Sequence, residues 1–388
     1  MLGLFDVIKD KFKPKLNAIT IDNWVFKLHY RVTTLLFFIA TILVTFREYI
    51  GEHIKCINDM PKAGFDRVIE TFCFFSTTFT VIDDFNTDKW KYGPLAHPGV
   101  APYGIGSKQP IRKHSYYQWV PFVLFGQGIM FYLTHLLWKI MEDNTIEKLV
   151  SGLNCTKLAL LNKESDEIDR KDKKVRIKRI KNIFLKRLKI TKSWTWWFVF
   201  CELLNVANVI LQIYITQKFL GDQFYTLGTR IVAEGSKILD EVFPKVTKCS
   251  FYTYGPSGSI QIHDALCIMA LNIVNEKIFV FLWFWYILLF IASCLVIIWR
   301  FFTVIFYKKC MTFNQFIFGH GKLHYWNLNL VVKQCSYHDW LLLKYLAKNI
   351  DGLVFRELFM DISEELEERK PLFMLAQSDK GNDMTKFD

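Results

Sequence analysis

Four stretches of apolar residues set the strongest constraint on what this chain can fold into. One contains Glu202 as its single charged residue and three contain none; they are residues 32–46, 114–138, 193–217 and 278–299. A helix needs about 20 apolar residues to cross the hydrocarbon core of a bilayer. Three stretches reach that length, and the first does so by extending back to Trp24, with Lys27 and Arg31 directing their charged ends to the interface. The pattern predicts four membrane-spanning helices rather than buried helices of a large soluble protein.

Basic residues are concentrated in two of the segments outside these stretches. Residues 139–192 contain 16 Lys and Arg against 8 Asp and Glu, and residues 1–31 contain 6 against 3, whereas residues 47–113 contain 9 against 8. Cytoplasmic loops of membrane proteins carry the excess of Lys and Arg. We therefore expect both termini and residues 139–192 in the cytoplasm. The net charge of +12 then requires no nucleic-acid partner.

Four of the nine cysteines fall in the two segments predicted to lie outside the cell. Cys56 and Cys73 precede the second span, and Cys249 and Cys267 precede the fourth. Disulfides persist in oxidising compartments, so two bridges are expected, and the spacing leaves three pairings open. The glycosylation sequon at Asn154 lies on the cytoplasmic side and is expected to stay unused. No cleavable signal peptide is evident in the first 31 residues, so the first span is expected to be retained as a signal-anchor.

Local patterns predict further elements between and after the spans. Val68–Thr80 is apolar and β-branched, which fits a short helix or a strand. Phe224–Leu239 has a helical pattern, and Lys245–Tyr254 is strand-like before a Gly-Pro-Ser-Gly turn. Trp340–Asn349 and Leu353–Glu368 predict two helices of a small cytoplasmic domain.

The segment Arg170–Lys192 has basic residues between apolar residues at helical spacing. A basic amphipathic helix is typical of a lipid-surface element or a calmodulin target. The alternative is a solvated helix that supplies the cytoplasmic positive charge. Both interpretations of this segment stay open. The first implies membrane lipids or a calmodulin-like protein as partners.

Residues that would carry catalysis or bind a metal form no recognisable group in this sequence. His135 and Glu202 lie within spans and His29 lies at the edge of one. An ionisable residue in a membrane span is a functional candidate, although a lone Glu is equally suited to an inter-helix hydrogen bond. We expect no enzyme activity, no cofactor and no metal.

The residues that begin the second span carry a specific resemblance. Tyr116, Tyr117, Gln118, Trp119 and Val120 resemble the YYQWV signature of innexins, the invertebrate gap-junction proteins, and the chain looks most like arthropod members. Further similarity lies in three segments: Asp22 and Asn23 followed by Phe26 and His29–Arg31, Cys201–Asn205, and His338–Leu343 with Asn349–Asp351.

The resemblance implies a large-pore channel built as a ring of subunits. The ring is homo-oligomeric, with an octamer as the best expectation, or heteromeric with related subunits, and it docks to a ring on the adjacent cell to form a gap junction in the plasma membrane. The family pattern implies the bridges Cys56–Cys267 and Cys73–Cys249. It also implies an N-terminal segment that narrows the pore mouth. Candidate pore-lining and gating residues are Met1, Leu2, Leu4, Phe5, Asp6, Lys9, Arg47 and Glu48.

The predicted fold class is an all-α integral membrane protein with four transmembrane helices, disulfide-bonded extracellular loops with minor β structure, and a helical cytoplasmic domain. In chain order, the segments are a pore-mouth segment 1–20, first span 21–46, first extracellular loop 47–113, second span 114–138, cytoplasmic loop 139–192, third span 193–217, second extracellular loop 218–277, fourth span 278–306, cytoplasmic helical domain 307–370 and a disordered tail 371–388.

Two questions stay open at the level of sequence. Pro121 either kinks the second span near its outer end or simply begins that helix, because proline is tolerated in a first helical turn. The function alternative to a channel is a tetraspan adhesion or scaffold protein without a pore. The long basic loop and the predicted C-terminal helices favour the channel, because small tetraspan proteins have short cytoplasmic parts.

Overall fold

The structure is a computed structural model, and it describes the backbone of most of the chain. The described residues are 21–50, 54–57, 65–82, 99–100, 109–143, 145–150, 175, 178, 191–235, 237–321 and 323–383. The chain forms two compact units. One takes the described residues of Met1–Phe26, His135–Leu203 and Leu295–Asp388, and the other takes Lys27–Thr134 and Leu204–Cys294.

Four helices in the described part of the chain are long and apolar enough to cross a bilayer. They are Trp24–Arg47, Tyr116–Glu142, Ser193–Phe219 and Leu271–Lys309. Each contains most of one apolar stretch of the sequence, and together they confirm the predicted four-span class. The fourth continues well beyond the 20 or so residues that a bilayer requires. Below, these helices are called the first to fourth spans.

A five-stranded antiparallel sheet lies in the second unit. Its strands are β1 (Lys55–Ile57), β2 (Thr78–Val81), β3 (Ile111–His114), β4 (Val246–Tyr254) and β5 (Ile260–Ile268), in the order β1-β5-β4-β2-β3. The β4–β5 hairpin of the later segment therefore lies between β1 on one side and β2 and β3 on the other, all three from the earlier segment. This is the predicted minor β structure.

Short helices accompany the sheet and complete the described part of the second unit. They are Phe65–Ser76, Phe224–Glu234 and Lys237–Val242. The Val68–Thr80 segment, left open between helix and strand, divides into both, since the Phe65–Ser76 helix ends before Thr77, a residue with a positive φ of 74°, and β2 follows. The single helix expected over Phe224–Leu239 is interrupted at Gly235, which ends the first helix with a φ of 75°. Glycine adopts this conformation without the steric cost that a Cβ brings.

The Phe224–Glu234 helix packs closely against the fourth span. A Cβ added to Gly228 would lie 2.1 Å from the Trp283 ring, so no other residue fits there without a shift. The Trp283 Nε1–H donates to the Tyr225 carbonyl oxygen at 3.2 Å. The close packing of Gly228 against the Trp283 ring and this hydrogen bond together hold the Phe224–Glu234 helix against the fourth span.

The C-terminal helices form the core of the first unit. They are Met311–Ile317, Tyr325–Gln334, Tyr337–Asn349 and Gly352–Asp383. Trp340 is at its centre, almost fully buried, and its Nε1–H donates to Asn314 Oδ1 at 2.7 Å. The Tyr337–Asn349 helix begins with a capping box between Ser336 and Asp339, which satisfies free N–H groups of its first turn.

Some predicted features lie outside the described residues. These are the N-terminal segment up to residue 20, the sequon at Asn154 and most of Arg170–Lys192, in which only Val175, Lys178, Thr191 and Lys192 are described, all helical. In the C-terminal direction, helix continues to Asp383, past the boundary at residue 370 at which the sequence predicted a disordered tail.

Candidate functional site

The first disulfide joins two strands of the sheet at directly opposed positions. Cys56 of β1 pairs with Cys267 of β5 in the antiparallel register, and their sulfur atoms are bonded. Their Cα atoms are 4.1 Å apart, close to the spacing of pairs that exchange no backbone hydrogen bonds. The bridge therefore fastens the three-residue edge strand β1 to the long hairpin.

The second disulfide joins a helix to the same hairpin. Cys73 of the Phe65–Ser76 helix is bonded to Cys249 of β4. These two bridges are the pairs that the family resemblance implied, and each connects the segment after the first span with the segment after the third. All four cysteines are buried in a small core with Ile54, Ile69 and Met269.

The two bridges lie almost side by side. One sulfur each from Cys56, Cys73 and Cys267 falls within 4.8 Å of the others. Clustered thiolates would suit a zinc ion, but these sulfur atoms are bonded in disulfides and cannot act as thiolate ligands. The two disulfides therefore hold β1 and the Phe65–Ser76 helix covalently to the β4–β5 hairpin.

The tip of the hairpin exposes a small apolar face. Tyr252 lies opposite Ile262 and Tyr254 lies opposite Ile260 across β4 and β5. Side chains alternate between the two faces of a strand, so these four share one face, and all four are exposed. Phe251, on the other face, packs edge-on against Phe72 with ring centroids 4.9 Å apart. One face of the hairpin therefore packs against the helix that precedes β2, and the other face is exposed. This exposed face is called the open face below.

The signature residues connect this sheet to the second span. The Tyr117 hydroxyl donates to the Phe74 carbonyl oxygen at 2.9 Å, and Gln118 Nε2 donates to the same oxygen. Phe74 directly follows Cys73. Tyr116 packs its ring edge against Phe219 and Phe243. Trp119 is exposed and Val120 is buried. The signature therefore links the disulfide-bonded helix to the start of a span.

Pro121 is the second residue of the α-helix that runs from Val120 to Glu142, directly after a 3-10 turn of Tyr116–Trp119. An N–H in the first turn of an α-helix has no partner within it, so proline loses little there. This position fits the helix-start alternative rather than a kink within the span.

The first span contains a π-helical segment, Leu28–Thr33. The Thr33 hydroxyl donates to the Leu28 carbonyl oxygen five residues earlier, at 3.0 Å, and accepts from Trp285 Nε1 at 3.0 Å. Such bulges often mark functional positions in helices. His29, in the same segment, is bonded to the Ser293 hydroxyl at 2.8 Å. Ser293 donates to Leu289, so His29 Nε2 is the donor to Ser293.

Glu202 has a charged partner, Arg300 of the fourth span. The guanidinium donates from Nη2 and Nε to the two carboxylate oxygens at 2.6 and 2.9 Å, and both side chains are buried. The sequence identified Glu202 as a candidate but not Arg300, which directly follows the charge-free stretch and resembles an ordinary interface residue. The Arg300 guanidinium also lies 5.1 Å from the centre of the Phe198 ring.

Arg300 is connected onward to the C-terminal helices. Its Nη1 donates to the Tyr337 hydroxyl at 3.5 Å, and that hydroxyl is 2.9 Å from Thr303 Oγ1. Lys344 lies 5.9 Å from the ring centres of both Trp299 and Trp340. Burial and the positive charge of Arg300 lower the pKa of Lys344 to about 8. A buried polar network thus joins a span to the helical core of the first unit.

The remaining candidates are placed as follows. His135 packs edge-on against Phe26 with ring centroids 6.3 Å apart. Arg47 is exposed at the end of the first span, and Glu48 continues the helix. Met1, Leu2, Leu4, Phe5, Asp6 and Lys9 lie outside the described residues.

Comparison with known proteins agrees with this architecture. The innexin family model matches residues 22–366. Innexin inx7 of Drosophila melanogaster is 41% identical over 383 residues, covering 94% of this chain and 85% of the relative. Innexin inx2 of Schistocerca americana is 38% identical over 375 residues, covering 94% and 99%. Innexin shaking-B of Drosophila melanogaster is 33% identical over 381 residues, covering 94% and 95%. The chain therefore belongs to the innexin family, whose members form gap-junction channels.

Proposed function

We propose that this channel subunit forms a ring of eight, with both termini in the cytoplasm, and that two rings dock through the disulfide-bonded sheets. As an innexin, the chain is an oligomeric channel subunit of the membrane rather than a poreless tetraspan scaffold. The observation that carries the proposal is the pair of bridges from the first inter-span segment to the third. They convert two separate loops into one rigid body, which is what docking between cells requires.

The orientation is supported by two independent chemical arguments. Residues 139–192 carry a net charge of +8, which favours the cytoplasmic side. The bridged cysteines fall in the segments that this orientation places outside, where disulfides persist. Among the cysteines that the structure describes, the four without a bridge lie in spans or after the fourth span: Cys201, Cys294, Cys310 and Cys335.

The open face of the hairpin is the docking surface that we favour. Tyr252, Tyr254, Ile260 and Ile262 form an exposed aromatic and β-branched patch at the end of the sheet. Exposed apolar patches of this kind mark sites of protein association. Aromatic anchors also carry much of the energy of protein interfaces. The partner that we propose for this patch is the same patch on a subunit of the opposing ring.

The pore is proposed to be controlled by the N-terminal segment and by the outer end of the first span. Helical spacing would place Leu4, Phe5, Ile8 and Phe12 on one face, with Asp6 and Lys9 between them in the sequence. Such a helix would pack its apolar face on a span and turn polar groups to the pore. Arg47 and Glu48, at the end of the first span, are proposed to line the pore as well. The basic segment Arg170–Lys192 is proposed to contact lipid or a calmodulin-like protein.

Paired-cell electrical recording tests this function. Tyr254→Asp, which places a charge in the open hairpin face, is expected to abolish current between cells while uptake of an impermeant dye by single cells persists. Thr253→Ser, on the other face of β4, is the matched control. Junctional current equal to that of the unmodified chain in Tyr254→Asp would remove the hairpin from docking. Loss of both current and dye uptake in correctly trafficked protein would argue against a separate docking role.

A further inference from the structure

The third span carries a groove whose apolar lining and volume suit one lipid chain. The groove measures about 580 Å³ and is lined by Ala207, Leu211, Tyr214, Tyr225 and Phe290 among others. Ala207 is the smallest residue in the lining, and its single methyl group leaves depth between the larger side chains. The third span, the fourth span and the Phe224–Glu234 helix each contribute a wall.

The lining residues of the third span form one stripe. Ala207, Leu211 and Tyr214 are spaced by four and three residues, and Lys218 follows four residues later, so all four lie on one helix face. From Ala207 to Lys218 the helix rises about 16 Å. This is about half of a hydrocarbon core of roughly 30 Å. The groove and the helical turn that follows it to Lys218 together therefore span about one leaflet.

One helical turn beyond Tyr214, just outside the groove, the third span carries an exposed ion pair whose charges cancel. Lys218 Nζ is bonded to the two carboxylate oxygens of Asp222 at 2.9 and 3.1 Å, and both side chains are exposed. Tyr214 and Tyr225 lie within electrostatic range of Lys218. Tyrosine is enriched at this level of membranes, where one end of the side chain is apolar and the other is wet. The cation and the anion side by side complement a headgroup that carries both charges.

We propose that this groove binds one acyl chain of a zwitterionic phospholipid, with the lipid phosphate at Lys218 and its ammonium group at Asp222. Charge complementarity selects this occupant over an anionic lipid, because Asp222 repels an unbalanced phosphate. The leaflet is the one at the Lys218 end of the third span. The assignment holds for either orientation of the chain.

Photolabelling of the full-length protein tests the site. The protein is reconstituted in nanodiscs of phosphatidylcholine that include a phosphatidylcholine with a diazirine on one acyl chain, and labelled peptides are mapped by mass spectrometry. We expect label on the peptides that contain Tyr214, Tyr225 and Phe290. Ala207→Phe fills the floor of the groove and is expected to lower that label about fivefold, or roughly 1 kcal/mol. Ala207 is exposed in the subunit, so the variant should fold, and an unchanged ring elution volume verifies this.

A matched control and two alternative occupants complete the test. Ile298→Phe enlarges an exposed residue of the fourth span outside the groove and should leave the label unchanged. Label spread evenly over the spans and insensitive to Ala207→Phe would mean bulk lipid only and overturn the site. Chain-to-chain crosslinks from benzoylphenylalanine placed at Tyr214 would assign the groove to a neighbouring subunit instead.

The headgroup is tested separately in the same nanodiscs. Asp222→Asn is expected to increase labelling by a diazirine phosphatidylglycerol relative to phosphatidylcholine, because it removes the anion and leaves the cation. If the unmodified protein already takes the phosphatidylglycerol label more strongly, the zwitterionic assignment is wrong.

Discussion

Glu202 and Arg300 form a two-pronged ion pair between the third and fourth spans, with donor–acceptor distances of 2.6 and 2.9 Å. Both side chains are at least nine-tenths buried. A buried pair contributes little net stability, but removal of one partner leaves a charge without compensation. The geometry therefore predicts a strong effect from single substitutions and a weak effect from replacing both residues.

The first prediction is a double-mutant cycle on this pair. Glu202→Gln should destabilise the subunit by about 3–5 kcal/mol, because Arg300 is left buried and unpaired. The double variant Glu202→Gln/Arg300→Met should recover most of that loss. Thermal unfolding of the purified protein, followed by loss of the ring peak on size exclusion, measures both. A Glu202→Gln protein as stable as the unmodified chain would contradict the burial argument.

The second prediction concerns the pH dependence carried by Lys344. Its pKa in the folded protein is about 8, against 10.5 for an ordinary lysine, because burial and Arg300 disfavour its charge. Between these two values the unfolded chain binds more protons than the folded chain, so stability rises as pH increases through this window. Glu202 acts in the opposite sense, and Lys348 adds to the effect of Arg300.

Lys344→Met tests that sign. The variant should lose the rise in stability between about pH 8 and 10.5, an effect on the order of 1–3 kcal/mol. It should also be more stable than the unmodified chain below pH 8, where the buried ammonium is charged. Lys333→Met, at an exposed position of the Tyr325–Gln334 helix, is the control and should keep the slope. Parallel stability curves for all three proteins would mean that Lys344 does not titrate in this range.

The third prediction concerns the contact between Gly228 and Trp283. A methyl group at Gly228 would lie 2.1 Å from the indole, so Gly228→Ala should cost about 1–3 kcal/mol through overpacking. Gly126→Ala is the control, because nothing lies within 4 Å of its added methyl group. Trp283→Leu combined with Gly228→Ala should restore stability. An unchanged unfolding temperature for Gly228→Ala would place the helix farther from the span.

The fold could be predicted from sequence where the signal was local. The four spans follow from uninterrupted apolar stretches, and β4 from its strand-like composition. Strand β1 has three residues and no periodicity, and it is defined by its pairing with β5, in which Cys56 lies opposite Cys267, 211 residues away. The partner of Glu202 could not be predicted either, since an arginine at the end of an apolar stretch is the usual interfacial pattern. Strand β1 and the Glu202–Arg300 ion pair both depend on contacts between residues far apart in the sequence, and such contacts leave no pattern in the local sequence.

The fourth prediction concerns the disulfides. Cys56–Cys267 and Cys73–Cys249 link residues 211 and 176 positions apart. Loss of a native bridge costs about 2–5 kcal/mol in small secreted domains. Cys73→Ser should therefore reduce surface expression and unfolding temperature, whereas Cys294→Ser, at an unbridged cysteine, should not. Mass spectrometry of unreduced peptides checks the pairing directly, and a peptide that joins Cys56 to Cys73 would contradict it.

The last prediction tests the orientation on which the docking proposal depends. The hairpin turn reads Gly255-Pro256-Ser257-Gly258-Ser259 and is exposed over most of its length. Ser257→Asn creates the glycosylation sequon Asn-Gly-Ser with one substitution. Because we place this turn outside the cell, the variant should carry a glycan, seen as a slower band on electrophoresis that glycosidase removes. The natural sequon at Asn154, which we place in the cytoplasm, should carry none.

The glycan also separates docking from channel formation. A bulky sugar at the turn lies next to Tyr254 and Ile260, so it should block contact with an opposing ring while leaving the pore of a single ring intact. Dye uptake by single cells should therefore persist and junctional current should fall to background, and enzymatic removal of the glycan before cell pairing should restore the current. Ser257→Ala controls for the substitution itself. A glycan on Asn154 in place of the turn, or surface staining of an epitope after Lys380 without permeabilisation, would reverse the orientation, because either result puts the segment of net charge +8 or the C-terminus outside the cell.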